Sequence, residues 1–77
     1  MSKEFDADLI GERIRALRKD KVLTVVQLGK ILDVTHATVS MWENGRSYPS
    51  THNLFNIAQF FNVSASYLLG LKDTKDV

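Results

Sequence analysis

The stretch from Thr24 to Gly45, TVVQLGKILDVTHATVSMWENG, constrains the fold more than any other part of the chain. Leu28, Ile31 and Leu32 fall at the i, i+3 and i+4 spacing of one helical face, and Thr24 with Gln27 makes the Thr-x-x-Gln pattern of a capping box. A helix is therefore predicted to start at about Val25 and to stop at Asp33-Val34. Thr35 then offers a hydroxyl to the free backbone N–H groups of a second helix, with Thr38 at its third position. In that second helix Val39 and Trp42 share an apolar face, while His36, Ala37, Ser40, Met41 and Glu43 spread over the small and polar sides. Asn44-Gly45 ends it, because glycine takes the left-handed conformation at lowest cost.

Two helices joined by a turn of about three residues fit two layouts. One is an αα-hairpin inside a small bundle that binds nothing; the other is a helix-turn-helix, whose second helix enters a DNA major groove. Spacing alone leaves both open.

Composition narrows the class. Seventy-seven residues make a single small domain, in which nearly every apolar residue at helical spacing is needed for the core. There is no Cys, hence no disulfide and no thiolate metal site, in keeping with a reducing compartment. No apolar run approaches the roughly 20 residues of a membrane span, and the first residues lack a signal-peptide core. These features predict a soluble cytoplasmic protein with no membrane contact, which would be nucleoid-associated if the DNA-binding layout holds. Residues 1–8 form an acidic arm running into helix 1, residues 9–70 the domain, and residues 71–77 a frayed tail. Between residues 9 and 70, Arg13, Arg15, Arg18, Lys19, Lys21, Lys30 and Arg46 outnumber Glu12, Asp20, Asp33 and Glu43. That mild basic excess permits nucleic-acid binding without demanding it.

The remaining helices follow from caps and stripes. Asp6 caps a first helix over about Ala7 to Lys19, with Phe5 and Ile10 spaced as a hydrophobic staple and Ile10, Ile14 and Leu17 as its buried stripe. Gly11 weakens that helix by about 1 kcal/mol relative to alanine. Arg15 and Lys19 read as a solvated face. Pro49-Ser50 opens a fourth helix over Thr51 to Phe61, with Leu54, Ile57, Ala58 and Phe61 inward and Phe55 and Phe60 on opposite flanks. Asn62 ends it, Ser64 caps a fifth helix through Leu69, Gly70 stops that helix, and Ala65, Leu68 and Leu69 are expected to close the core.

The string Leu23-Thr24, Leu28, Leu32, Val34-Thr35, Thr38-Val39-Ser40, Trp42-Glu43 and Gly45 resembles the Cro and phage-repressor (XRE-like) family of helix-turn-helix regulators. The Pro49-Ser50, Leu54, Ile57-Ala58, Phe61-Asn62-Val63-Ser64 and Tyr67-Leu68-Leu69-Gly70 trail extends the likeness over about residues 14–70. Val25, Gly29 and Asp33 depart from it, standing where the family usually has Gln, Ala and Gly. The resemblance implies an all-α, five-helix lambda-repressor-like domain with the helix-turn-helix formed by helices 2 and 3. It implies a sequence-specific double-stranded DNA-binding transcriptional regulator, most often a repressor, acting as a homodimer on a two-fold operator. His36, Ala37, Ser40 and Met41 occupy the base-reading positions. Thr24, Thr35, Thr38, Asn44, Arg46 and Tyr48 are placed to bind phosphates through hydroxyl, amide, guanidinium and backbone groups. The family further implies an ion pair between Arg18 and Glu43, and dimer contacts from the region of helices 4 and 5, here Phe55, Phe60, Leu69 and Leu71.

No cofactor or metal is expected, and no enzyme: with two His sixteen positions apart and scattered carboxylates, nothing assembles a nucleophile with a base. The competing expectation is a protein-interaction module on the same fold, antitoxin-like or an antirepressor target, because fold does not settle function. Val25, Val26, Ile31 and the flanking phenylalanines would supply its surface.

Overall fold

The computed structural model describes residues 4–76, so Met1, Ser2 and Lys3 of the expected acidic arm and Val77 of the expected tail lie outside the described residues. Five helices follow one another: α1 (Ala7–Asp20), α2 (Val25–Leu32), α3 (His36–Glu43), α4 (Thr51–Phe61) and α5 (Ala65–Leu68). The all-α, five-helix expectation holds, with α2 and α3 as the helix-turn-helix. α1 runs one residue further than its sequence pattern indicated, and α5 closes at Leu68, with Leu69 as its cap.

Every helix begins by the same device. Asp6, Thr24, Thr35, Ser50 and Ser64 sit in extended backbone, and each side-chain oxygen accepts the N–H three residues on, from Leu9, Gln27, Thr38, Asn53 and Tyr67 respectively. Each cap satisfies one of the amides that a helix start leaves unpaired. Every helix also ends alike, on a left-handed residue: Val22, Asp33, Gly45, Asn62 and Gly70. The next amide reaches back to close the final turn, from Leu23 to the Arg18 carbonyl (3.1 Å), Val34 to Gly29 (2.9 Å), Arg46 to Met41 (3.0 Å), Val63 to Ala58 (3.0 Å) and Leu71 to Ser66 (2.9 Å). This is the Schellman pattern, for which Gly and Asn are suited and Asp is tolerable. Val22 is the misfit: a β-branched residue at φ 57°, 87% exposed, whose burial offsets none of the strain.

The core is drawn from all five helices: Ile10, Ile14 and Leu17 from α1, Leu28 and Leu32 from α2, Val39 and Trp42 from α3, Ile57 and Phe61 from α4, and Leu68 from α5. Val63, between α4 and α5, is the eleventh buried member and takes the place expected for Ala65, which is exposed. Leu54, Ala58 and Leu69 are only half-buried against this cluster.

α3 packs on both α1 and α2, and two glycines make that approach close enough. A Cβ at Gly11 would stand 2.1 Å from the Trp42 carbonyl oxygen, and one at Gly29 would stand 2.8 Å from that of Val34. Gly11 is thus a cost to α1 alone and a requirement of the α1–α3 contact. Two further expectations change. Phe5 is exposed, and its ring meets Tyr48 edge-on, centroids 4.7 Å apart, whereas Ile10 is buried in the core. The segment after α5 is held, not frayed, because the Arg13 guanidinium donates to the carbonyls of Tyr67 and Lys72 and to Asp73, and lies over the Tyr67 ring. Ser64 N–H also donates to the Lys75 carbonyl (3.2 Å).

Among the described residues no helix is long and apolar enough to cross a membrane, and no group of three His, Asp or Glu could hold a metal ion.

Candidate nucleic-acid interface

α3 is short, and its two sides differ sharply. Val39, Trp42 and Glu43 are buried, while His36, Ala37 and Met41 are exposed and Ser40 is half-buried. At about 100° per residue the latter four fall on one continuous arc opposite the buried three. Trp42 and Val39 point into the core by this rotation, which leaves a strip of imidazole, methyl, hydroxyl and thioether groups facing outward. The strip carries no ion pair and no internal hydrogen bond between its side chains among the described residues.

The buried arc is fixed by charge as well as by packing. The Glu43 side chain is 2% exposed, and both its oxygens are bonded: Arg18 Nε donates to Oε2 at 2.6 Å, Arg18 Nη2 to Oε1 at 2.9 Å, and Arg15 Nε to Oε1 at 3.2 Å. Arg18 Nη1 also donates to the Leu23 carbonyl at 2.7 Å, so one guanidinium ties α1 to both α3 and the turn before α2. The fork of Arg18 on a carboxylate in a largely dry setting is the strong form of such a pair. Hydrogen bonding to Glu43 raises the Arg18 pKa, with burial acting in the opposite direction. A raised basic pKa contributes stability that is complete below the unfolded value and is lost only as pH rises through the folded one, so this contribution is constant across neutral pH.

Arg15 was expected to be solvated and is instead a second partner of Glu43. Its Nη2 also donates to Asn44 Oδ1 at 3.1 Å. The pattern that betrays it is its spacing three residues before Arg18, on the same face of α1. Arg13 escaped in a different way, since its partners lie between 54 and 60 residues further along the chain.

The six expected phosphate ligands divide by what their polar atoms already do. Thr24 completes its capping box, accepting from the Gln27 amide at 3.1 Å while its own amide donates to Gln27 Oε1 at 2.9 Å. Thr35 Oγ1 accepts the Thr38 amide at 3.1 Å, and the two hydroxyls share a further bond at 2.9 Å. Each hydroxyl has one proton, so the Thr35–Thr38 pair keeps a single donor for an outside acceptor. Asn44 is occupied at both ends, with Nδ2 donating to the Ser40 carbonyl at 2.9 Å and Oδ1 accepting from Arg15, so it belongs first to the scaffold. The Arg46 guanidinium is exposed and makes no hydrogen bond or ion pair among the described residues. Tyr48 is exposed at its ring, which Phe5 meets on one side.

The four expected dimer residues divide as well. Phe55 and Leu71 are about 60% and 59% exposed. Phe60 packs edge-on against Phe61, with Lys21 over its ring, and Leu69 packs against the core, so both are half-buried. Val25 is half-buried against the core too, whereas Val26 and Ile31 face solvent.

These features have close counterparts among known proteins. A family model described as Helix-turn-helix (HTH_3) matches residues 14–68. The chain is 42% identical over 60 residues to the HTH-type transcriptional regulator DicA of Escherichia coli K12, covering 78% of this chain and 44% of DicA. It is 36% identical over 65 residues to Repressor protein C2 of Salmonella phage P22, covering 84% of this chain and 30% of that repressor. It therefore spans less than half the length of either relative. The crystal structure of the P22 c2 repressor with a synthetic operator superposes with a TM-score of 0.76 at 38% identity, covering 79% of this chain and 92% of that one. By its capped α2–turn–α3 unit, its outward strip on α3 and these matches, the chain belongs to the HTH_3 helix-turn-helix family of DNA-binding transcriptional regulators, a non-enzymatic family of the Cro and phage-repressor type.

Proposed function

We propose that this chain binds double-stranded DNA sequence-specifically and represses transcription, with residues 9–70 acting as one unit that lays α3 in the major groove. The observation that carries the reading is the bare arc of His36, Ala37, Ser40 and Met41, opposite Val39, Trp42 and Glu43. The P22 c2 repressor, whose structure holds a synthetic operator, supports it by likeness. In the groove, the His36 ring would donate to or accept from a purine edge, and Ala37 and Met41 would meet thymine methyls. Ser40, half-buried, would sit at the rim. With no Gln or Arg on the strip to make a bidentate base contact, discrimination would rest on methyl contacts and on DNA shape. Arg46 is the best-placed phosphate ligand, because its guanidinium is uncommitted. Thr24 and the Thr35–Thr38 pair would add hydroxyl and amide contacts, and Asn44 and Tyr48 would contribute less.

One such domain buries little DNA surface, so the functional unit is a homodimer on half-sites about 34 Å apart. Phe55 and Leu71 are its foremost contacts, with Phe60 and Leu69 behind them. The cytoplasm, on the nucleoid, is where such a dimer would work. A protein-interaction module on the same fold is the second reading, favoured by the exposure of Val26, Ile31 and Phe55.

Selection of duplexes from a random pool, followed by binding titrations at several salt concentrations, tests the proposal. His36→Ala should weaken binding to the selected duplex far more than to random DNA. Arg46→Ala should weaken both and lower the salt slope by about one unit. Failure to enrich any duplex at low salt would hand the case to the protein-interaction reading.

A further inference from the structure

We infer that Arg15 is a positioning residue for the reading face, one that sets the C-terminal half of α3 through Asn44; the specificity part of this inference rests on the DNA-binding reading above. Four bonds carry it. Arg15 Nε donates to Glu43 Oε1 at 3.2 Å and Arg15 Nη2 to Asn44 Oδ1 at 3.1 Å. Asn44 Nδ2 donates to the Ser40 carbonyl at 2.9 Å, and the Asn44 amide reaches the same oxygen at 3.0 Å. The adjacent Met41 carbonyl accepts from the amides of Arg46 (3.0 Å) and Ser47 (3.4 Å). The backbone of Ser40 is thus held by the cap that Arg15 grips from α1, and that of Met41 by the turn that follows this cap; both are among the four outward residues. His36 and Ala37, at the other end of α3, have no part in this network.

Arg15 does not duplicate Arg18. Arg18 alone bonds both oxygens of Glu43, so the buried carboxylate keeps a partner without Arg15. The Arg15 side chain is 43% exposed, and a pair so placed adds little to stability. What Arg15 alone does is fix the orientation of the Asn44 amide by donating to its Oδ1. Its donor on Oδ1 leaves Nδ2 aimed at Ser40, and without that donor the amide is held at one end only. The planar fork matters, since Nε and Nη2 are separate nitrogens that meet Glu43 and Asn44 at once, where a lysine offers a single nitrogen on a flexible stem.

The test uses the full chain and the duplex selected above, with Arg15→Ala, Arg15→Lys, Asn44→Ala and the Arg15→Ala/Asn44→Ala pair. Arg15→Ala should leave the melting temperature within a few degrees of the parent. It should accelerate amide exchange at Arg46 and Ser47 several-fold without changing α1. Discrimination between single-base variants should fall about three- to tenfold at the base pairs facing Ser40 and Met41, and stay intact at those facing His36 and Ala37, with an unchanged salt slope. Arg15→Lys should not rescue it, and the double variant should match Asn44→Ala alone. A salt slope lower by about one with discrimination intact would make Arg15 a phosphate ligand and overturn the inference. Parent-like exchange at Arg46 and Ser47, or a uniform loss at all base pairs, would overturn it equally. If the parent chain prefers no duplex, the DNA-binding reading falls with the specificity claim, and amide exchange alone still decides whether Arg15 holds the end of α3.

Discussion

The two ends of α3 are held by different physics. At the C-terminal end a carboxylate is buried between two arginines, Gly11 brings the α1 backbone against Trp42, and Gly45 closes the last turn in the left-handed conformation. At the N-terminal end the restraints are local: the Thr35 cap, its hydroxyl bond to Thr38, and the approach of Gly29 to the turn. A recognition element has reason to be built this way. The residues nearest the N-cap, His36 and Ala37, must stay bare to be read against DNA, so no long side chain from another helix can cover them. Their backbone is instead set by caps and by glycine contact, which take no outward surface. The deep anchor sits where the outward residues run out.

That contrast can be broken by substitution, beginning with the largest expected effect. Glu43→Ala strands Arg18 in a largely buried site and should cost about 3 kcal/mol, a large part of what a domain of this size has. Chemical denaturation should show it, and a loss below about 1 kcal/mol would mean that Arg18 finds water or another acceptor. Gly11→Ala should cost about 2 kcal/mol despite alanine's better helix propensity, because its Cβ would meet carbonyl backbone and not a movable side chain. A neutral result in the same assay would show that α1 can slide along α3. At the other end, Thr35→Ala should cost only about 1 kcal/mol, the worth of one cap. A loss equal to that of Glu43→Ala would erase the distinction between the ends. Val22→Asn, remote from α3, serves as the reference for a helix end under strain. It should raise stability by somewhat under 1 kcal/mol by relieving a β-branched residue of left-handed backbone, and a lower melting temperature would show that the strain is absent.

Much of this architecture could be read from short-range signals. The five caps lie at Asp6, Thr24, Thr35, Ser50 and Ser64, where hydroxyls or a carboxylate precede apolar periodicity, and the Thr24–Gln27 box is present as spaced. Caps and stripes are local, so a sequence displays them directly. What escaped was set by contacts between distant segments. Arg15 looked like a solvent-facing charge and Arg13 had no partner in view, yet one grips α3 and the other grips the chain after α5. Gly11 looked like a weakness, and Ala65 like core. At Val22 nothing in the neighbouring residues announces a left-handed turn at a β-branched position.

For the candidate interface the division is similar. The inward placement of Val39 and Trp42, and hence the outward arc of His36, Ala37 and Met41, follows from helical rotation once the cap at Thr35 is recognised. Whether a polar side chain on that surface still has a hydrogen bond to give does not follow. Thr35 and Thr38 spend one proton on each other, Asn44 is bonded at both ends, and Arg46 is left uncommitted. The chain's own order therefore determined where helices start, where they stop and which stripe each one buries, since those depend on residues within about one turn of each other. Only the folded arrangement decided which charges are anchors and which remain available, because that depends on which atoms of α1, α3 and the C-terminal segment come within about 3 Å, the reach of a hydrogen bond.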